Sequence, residues 1–403
     1  MASAESSRHE IRPSSASSIA DVERVLEELR TAPPDAHLVL PRKLGERSVG
    51  GTSAQLQMVA TWRRQCPDGR LCAYVNESDD EDQRERSVRN LIGKSDHGYF
   101  AWELAGQLDT RLGQSSLDDL ARPIAEQRRA GMATVEGSQR GRKVMLLCVD
   151  GSRAHYPRTL YQPLRGLPEV VAVREFERLA IALQRLITFG PDTKQAGAHI
   201  AAPEMARLML ELFRNTDQWG RPRAQPSGAP ASVRGLRVEM HAITPAAAAS
   251  SVAGNPALEE YLEAGALQPR GERIRFVELS VFDAGPGMAY RRLRELGKSS
   301  PSVADEFSAV ADCLSKHFGT GNSPASGKGL DSVLRTLTDL AGFLRLRTGR
   351  LHLYRDFAHE PYEPDVEGTR PRMHHWDPSA QRDHVAPAHG TLLTLLFPLR
   401  YAA

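Results

Sequence analysis

The stretch IRFVELSVFDAGPGMAY, residues 274–290, decides the fold, because an apolar, β-branched run ends abruptly there in the turn DAGPG. Apolar side chains occur at both odd and even positions of the run, which predicts a largely buried strand. A single carboxylate, that of Asp283, then stands at the end of the strand. Gly285 and Gly287 permit positive φ and leave room for a flat ligand whose amino group needs an acceptor. An ordinary strand-ending Asp-Gly turn is the alternative interpretation.

Upstream, the segment APEMARLMLELFRNTDQWG, residues 202–220, has apolar residues at helical spacing and a proline near its front. This pattern predicts a helix. Glu211 and Asn215 are four residues apart and therefore share one face of that helix. Asparagine offers a neutral oxygen to a hard cation such as Mg²⁺, and glutamate can orient or deprotonate a water molecule. The pair is therefore a candidate catalytic and metal-binding site.

Downstream, a glycine-rich segment runs into an amphipathic pattern that predicts a helix. Backbone amides and the helix dipole make such a junction a phosphate-binding site. The candidate phosphate-binding residues are Gly319, Thr320, Gly321, Gly327, Lys328, Gly329 and Leu330. Lys328 stands where its ammonium could reach a terminal phosphate, although a solvent-facing lysine fits the same pattern. After Gly390 and Thr391, the apolar run LLTLLF predicts a closing strand.

These four stretches, in this order, resemble the GHKL ATPases, the family of DNA gyrase, the large heat-shock chaperones, sensor histidine kinases and mismatch-repair ATPases. The resemblance covers roughly residues 170–400. It implies that Glu211 and Asn215 form the N-box of the family and that the DAGPG turn is its adenine-binding box. It also implies that GKGL at 327–330 is the second glycine box and that Thr391 lies in the final strand.

Two features depart from the family pattern. The usual N-box has a further aspartate seven residues after the glutamate, whereas Gln218 takes that place here and Asp217 comes one residue early. A shifted carboxylate could then position water in place of Glu211. A long gap before the adenine-binding box implies an insertion near 245–273. The family also folds a lid over the nucleotide, which is expected here near 301–327.

The chain divides into a tail and two predicted domains. Residues 1–20 are rich in serine and poor in apolar side chains, which predicts a disordered tail. Residues 21–166 alternate predicted strands and helices, an α/β pattern that resembles the small regulatory STAS domains. Residues 167–403 form the second domain, expected to be an α/β sandwich of the GHKL (Bergerat) type. Within it, an apolar helix near 170–190 is expected to pack on the Glu211 helix, so the predicted fold class is mixed α/β and α+β.

The amino-acid composition limits the classes of partner that the chain is expected to bind. The 403 residues are 40% hydrophobic, enough for two cores of ordinary size. Lysine plus arginine total 52 against 50 for aspartate plus glutamate, so the charge does not indicate nucleic acid or a membrane surface as partner. The four cysteines lack close pairing, which is typical of reduced thiols. No apolar stretch reaches the roughly 18–20 residues of a membrane span. The sequence therefore predicts a cytoplasmic protein.

Three functions remain open from the sequence. In the first, ATP hydrolysis drives a switch: Glu211 polarises water, Asn215 holds Mg²⁺, and lid closure signals to the N-terminal domain, a protein partner or a second copy. In the second, the same pocket serves a protein kinase of the histidine or anti-sigma serine type. In the third, the chain senses ATP without turnover. Because the N-box pair and both glycine boxes are present, we expect ATP and Mg²⁺ as ligands and hydrolysis as the activity.

Overall fold

A computed structural model describes residues 9–15, 18–41, 48–151, 153–187, 198–199, 201–221, 232–252, 255–263, 273–315, 329–364, 370–377 and 385–401. Its helices are α1 (Ile19–Thr31), α2 (Gly51–Gln65), α3 (Glu81–Val88), α4 (Asp96–Ala105), α5 (Asp118–Gly131), α6 (Val173–Ile187), α7 (Ala202–Trp219), α8 (Pro245–Ser251), α9 (Pro256–Glu263), α10 (Met288–Glu295), α11 (Val303–Leu314) and α12 (Gly329–Asp339). A π-helix, Arg89–Lys94, joins α3 to α4. None of the described helices is long and apolar enough to cross a membrane.

One large sheet organises the strands. They are β1 (Glu10–Ile11), β2 (His37–Leu40), β3 (Leu71–Ala73), β4 (Gln139–Arg140), β5 (Lys143–Val149), β6 (Tyr161–Leu164), β7 (Leu167–Val170), β8 (Ala198–His199), β9 (Val233–Ile243), β10 (Ile274–Asp283), β11 (Phe343–Gly349), β12 (Leu351–Asp356), β13 (His374–His375), β14 (Ala388–Pro398) and β15 (Arg400–Tyr401). Eight of them form the order β13-β12-β11-β14-β10-β9-β5-β4, with antiparallel neighbours throughout. This arrangement confirms a mixed fold of the α+β kind.

The strand predicted at 274–290 is the fifth strand of this sheet, and its two faces carry different layers. Val277, Leu279 and Val281 belong to a core shared with α6, α7 and α12. Phe282 belongs to the opposite core, shared with α2. Because side chains alternate along a strand, Asp283 lies on the same face as Val281. The carboxylate therefore opens toward the layer that contains the Glu211 helix.

Helices α6 and α7 pack together as the sequence predicts. The rings of Phe176 and Phe213 have centroids 6.4 Å apart, and both side chains are fully buried. Both helices also supply apolar side chains to the core beneath the sheet. The apolar stripe of α7 is therefore fixed against the sheet, and this fixes the direction of the face that carries Glu211 and Asn215.

The N-terminal part of the chain packs on the other face of the sheet. Strands β1, β2 and β3 form a parallel sheet, with α2 between β2 and β3 in the chain as predicted. Twelve of the 15 residues of α2 are buried, and the helix contacts β10 and β14 of the large sheet. Trp62 on this helix donates a hydrogen bond to the carbonyl of Ala36 at 2.9 Å. One apolar core therefore joins the two parts.

Two boundaries differ from those expected. Part of the predicted tail is ordered, because β1 pairs with β2 and Ile11 is fully buried there. The large sheet also begins before residue 166, since β5 pairs with β9. The expected boundary at Leu167 falls inside the hairpin of β6 and β7. All seven residues of β5 are buried, so periodicity could not show which sheet the strand would join.

The insertion expected near 245–273 connects two paired strands. Ile243 at the end of β9 lies opposite Ile274 at the start of β10. In the described part of the insertion, α9 buries Tyr261 against Phe343, with ring centroids 5.3 Å apart, in a third core that also contains Phe276. This core covers the end of the sheet opposite Asp283.

Candidate functional site

Asp283 ends β10 between two neighbouring strands. Its register partners are Arg234 of β9 and Thr391 of β14. The carboxylate accepts a hydrogen bond from the Gly285 amide at 2.8 Å and further hydrogen bonds from Thr391. Burial raises the pKa of Asp283 to about 6, although those hydrogen bonds and the charge of Arg234 act in the other direction. Asp283 is thus a buried acid in which desolvation outweighs its local partners.

The end of α7 meets Asp283 directly. A Cβ built on Gly220, the residue after the helix, would lie 2.6 Å from the Cβ of Asp283. Only glycine allows this approach. Gly285 is equally close, since its own Cβ would lie 2.8 Å from the Cα of Gly220. The DAGPG turn and the end of the helix that carries Glu211 and Asn215 are therefore in contact.

Glu211 lies against the start of α12. A Cβ built on Gly329 would be 2.6 Å from Oε2 of Glu211, so glycine at this position makes room for the carboxylate. Leu330 is partly buried and packs on the core shared with α7. Among the described residues, Glu211 has no hydrogen bond or ion pair. The structure thus places Glu211 against Gly329 at the start of α12, and no described residue pairs with its carboxylate.

Asn215 lies one helical turn further along α7. Its amide nitrogen Nδ2 is buried without a hydrogen-bond partner within the described part of the chain. Buried polar groups of this kind are rare unless a water, ion or ligand completes them. The unpaired nitrogen therefore fits a bound oxygen acceptor, and the amide oxygen is of the type that Mg²⁺ accepts as a ligand.

Asp217 does not take over the position expected from the family pattern. Its Oδ1 accepts a hydrogen bond from the hydroxyl of Tyr161 at 2.6 Å and from Nη2 of Arg234 at 3.0 Å. Arg234 is fully buried and also pairs with Asp150. The carboxylate of Asp217 is therefore engaged in an ion-pair network and does not take the place of Glu211.

The remaining predicted site residues separate into two groups. Gly287 has φ of 97°, as the sequence predicts, whereas Gly285 is not among the glycines with positive φ. Gly319, Thr320, Gly321, Gly327 and Lys328 lie outside the described residues, together with the later part of the expected lid.

A groove of about 360 Å³ lies between α11 and residues 370–374, but no predicted site residue lines it.

A second buried acid, Glu278, was not predicted from the sequence. It accepts hydrogen bonds from the Gly50 amide at 2.9 Å and from Nε2 of His241 at 2.9 Å, and Arg237 lies 3.3 Å away. Burial opposes ionisation, but these partners lower the pKa of Glu278 to about 2. The signal was present in β9, where the polar residues Arg237, Glu239 and His241 occur at alternate positions.

The Glu278 cluster does not favour a metal. Ligand atoms of Glu239, His241 and Glu278 lie within 4.8 Å of one another, which is close enough for a shared ion. However, the guanidinium of Arg237 bridges both glutamates. A cation is thus already present between the carboxylates, and a metal would have to displace it.

Comparison with known family models, curated proteins and solved structures finds no match to this chain. The resemblance to the GHKL family therefore depends on the four motifs and on their arrangement.

Proposed function

We propose that this chain binds ATP with Mg²⁺ where β10, α7 and α12 meet, and hydrolyses it to drive a conformational switch. The observation that carries the proposal is the state of Asp283, a buried carboxylate at a strand end that touches glycines on two sides. Such a group is costly without a further hydrogen-bond donor. The exocyclic amine of adenine would supply that donor.

The geometry around Glu211 supports a role in turnover. A carboxylate that lies against the first residue of α12 is close to the backbone amides that would bind phosphate. It can orient a water molecule and accept its proton. Asn215, one turn away, would hold Mg²⁺ through its amide oxygen, and the bound ion would neutralise charge on the phosphates.

A route for signalling runs from the adenine-binding turn to α2. Nη2 of Arg64 on α2 donates to the carbonyl of Ala284 at 3.1 Å. The hydroxyl of Thr61 on the same helix accepts from the amide of His389 at 3.0 Å. Both bonds reach segments that flank Asp283. A shift of the turn on nucleotide binding would therefore act on the N-terminal part, and through it on a protein partner or a second copy.

The test is incubation of the pure protein with γ-labelled ATP and Mg²⁺, followed by separation of free phosphate from protein. The proposal predicts label in free phosphate. Label retained on this chain, or on an added partner chain, would favour the protein-kinase alternative. Bound but unprocessed ATP would favour a sensing module. When the assay is repeated with Glu211→Ala, the matched control is Gln218→Ala, which changes an exposed side chain on the same helix.

A further inference from the structure

A row of four buried polar side chains crosses the large sheet where its apolar face ends. They come from four adjacent strands and are Arg234 of β9, Asp283 of β10, Thr391 of β14 and Thr348 of β11. Two residues further into β11, Leu346 belongs to the core shared with α7, so the row lies on the same face of the sheet as that core. Thr348 therefore belongs to the face that carries the proposed nucleotide site, although it lies outside every motif of the sequence.

The hydroxyl of Thr348 joins two segments that lie on either side of Asp283. Oγ1 accepts a hydrogen bond from the amide of Met288 at 2.9 Å and donates one to the carbonyl of Gly390 at 3.1 Å. Met288 begins α10 directly after the DAGPG turn, and Gly390 precedes Thr391, the register partner of Asp283. Because the single hydroxyl proton is used in the bond to Gly390, Thr348 has no proton left to donate to a ligand. Its bonds therefore act on the chain around the site.

The bond to Met288 caps a helix whose own N-cap residue has no side chain. Gly287 is the N-cap of α10. The first amides of a helix have no partner within the helix, so Thr348 supplies one from another strand. Gly287 has φ of 97°, and a Cβ built on it would lie 3.0 Å from Oγ1 of Thr348. The end of the DAGPG turn and the hydroxyl therefore pack directly against each other.

The bond to Gly390 holds an irregularity in β14. The register between β11 and β14 shifts directly after Thr348, which leaves two residues of β14 outside the ladder with β11. Gly390 is one of these two residues, and a Cβ built on it would lie 1.9 Å from the carbonyl oxygen of Asp283. The bulge at Gly390 therefore packs against the residue that is proposed to bind adenine, and Thr348 bonds to the same bulge.

We propose that Thr348 is a positioning residue of the nucleotide site, which tethers the DAGPG turn and the bulge at Gly390 in the geometry that presents Asp283 to adenine. The inference rests on the proposed function for its ligand, whereas the tether itself is a property of the free protein. Since Thr348 does not donate to the nucleotide, its loss should change the conformation of the turn and, through the turn, the affinity for ATP. The hydroxyl carries this role, and the methyl group of threonine does not.

Amide hydrogen exchange of the free protein and titration with ATP and Mg²⁺ test the tether in three variants. In Thr348→Val, which removes the hydroxyl but keeps the shape, protection of the Met288 amide should fall at least about tenfold, and ATP should bind roughly five- to thirtyfold more weakly. Thr348→Ser retains the hydroxyl and should restore both. Thr338→Val is the matched control, because Thr338 also accepts from an amide, that of Tyr362 at 2.9 Å, and donates to a carbonyl, that of Leu334 at 3.1 Å. It should change neither value.

Three results would refute the tether: fast exchange of the Met288 amide in the wild-type protein, unchanged exchange in Thr348→Val, or the same losses in Thr338→Val. Unchanged ATP affinity of Thr348→Val, beside a wild type that binds ATP, would refute its link to the nucleotide site. Failure of the wild type to bind ATP would instead contradict the proposed function, and exchange would then decide the tether alone. If Thr348→Val does not fold, Thr348→Ala takes its place, and the wild-type exchange rate remains decisive.

Discussion

Two buried acids on the same strand behave in opposite ways. Glu278 and Asp283 are five residues apart on β10 and lie on opposite faces of the sheet. Burial disfavours the charge of both. Glu278 has His241, Arg237 and a backbone amide around it, and its pKa is lowered to about 2. At Asp283, burial outweighs its hydrogen bonds and the charge of Arg234, and its pKa is raised to about 6.

We interpret Glu278 as a structural acid, and we propose Asp283 as an acid that serves a ligand. Glu278 joins β9, β10 and the start of α2, and every contact around it comes from the chain itself. Asp283 lies against Gly220 and Gly285, and a Cβ on either glycine would lie within 2.8 Å of its side chain. A buried carboxylate that its own chain leaves under-compensated is typical of functional sites.

The largest expected effect extends the comparison to Glu211, a third carboxylate that the described chain leaves unpaired. Glu211→Ala should lower ATP turnover by roughly 10²–10⁴ while ATP binding stays nearly intact, because a positioned base acts on the chemical step. Asn215→Ala should weaken Mg²⁺-dependent binding and turnover together. Steady-state hydrolysis and calorimetric binding distinguish the two. Variants that both bind and hydrolyse like wild type would contradict the N-box assignment.

Removing the compensated acid should mainly affect stability. Glu278→Ala removes a partner of Arg237 and His241, although Arg237 keeps Asp96 and Glu239, so the cost should be at most the roughly 3–5 kcal/mol of a broken buried pair. Since the folded pKa of Glu278 is lowered to about 2, its contribution is present above its ordinary pKa of 4.5 and is lost as the pH falls toward the lower value. Urea unfolding of Glu278→Ala and Glu278→Gln at several pH values measures the loss of stability and its pH dependence. A cost under about 1 kcal/mol would show that the cluster is not structural.

The effect of Asp283→Asn on the free energy of unfolding should depend on pH in the opposite direction. The folded pKa is raised from 3.8 to about 6, so ionisation destabilises the wild type as the pH rises through the higher value. The variant should therefore be more stable by about 1–3 kcal/mol near pH 8, at ~1.4 kcal/mol for each pKa unit. This gain should disappear as the pH falls toward the lower value. Urea unfolding at several pH values checks it, and a difference independent of pH would contradict the raised pKa.

The smallest expected effect concerns Arg64, which connects α2 to the turn proposed to bind adenine. Arg64→Met removes one hydrogen bond to the carbonyl of Ala284, worth about 1 kcal/mol, or roughly fivefold in ATP affinity. Arg63→Met is the matched control, because Arg63 donates to the carbonyl of Pro67 instead. Equal ATP affinities of Arg64→Met and Arg63→Met would show that this hydrogen bond does not couple the N-terminal part to the nucleotide site.

Local patterns predicted the elements of the site well. The alternation in β10 and the apolar stripe of α7 identified both elements, and the turn after Asp283 begins where expected. The contact of Glu211 with Gly329 joins residues more than one hundred positions apart, and only the family resemblance pointed to it.

The partners of buried charges were harder to predict. Asp217 was considered as a water-positioning residue, but Tyr161 and Arg234 hold it. Periodicity shows that β9 is a strand, but not that Arg234 and Arg237 pair on opposite faces with different acids. Long-range register determines these pairs. For the same reason, the membership of β5 in the large sheet could not be predicted.

The most direct test of the central claim is calorimetric titration of ATP with Mg²⁺ into the wild-type protein and into Asp283→Asn. The carboxylate accepts from the exocyclic amine, whereas an amide can present a donor there. Loss of a charged hydrogen bond costs roughly 1.5–3 kcal/mol, so the variant should bind about ten- to a hundredfold more weakly. Equal ATP affinity of the two proteins, or no binding by the wild type, would contradict the assignment of Asp283 as the adenine-binding residue.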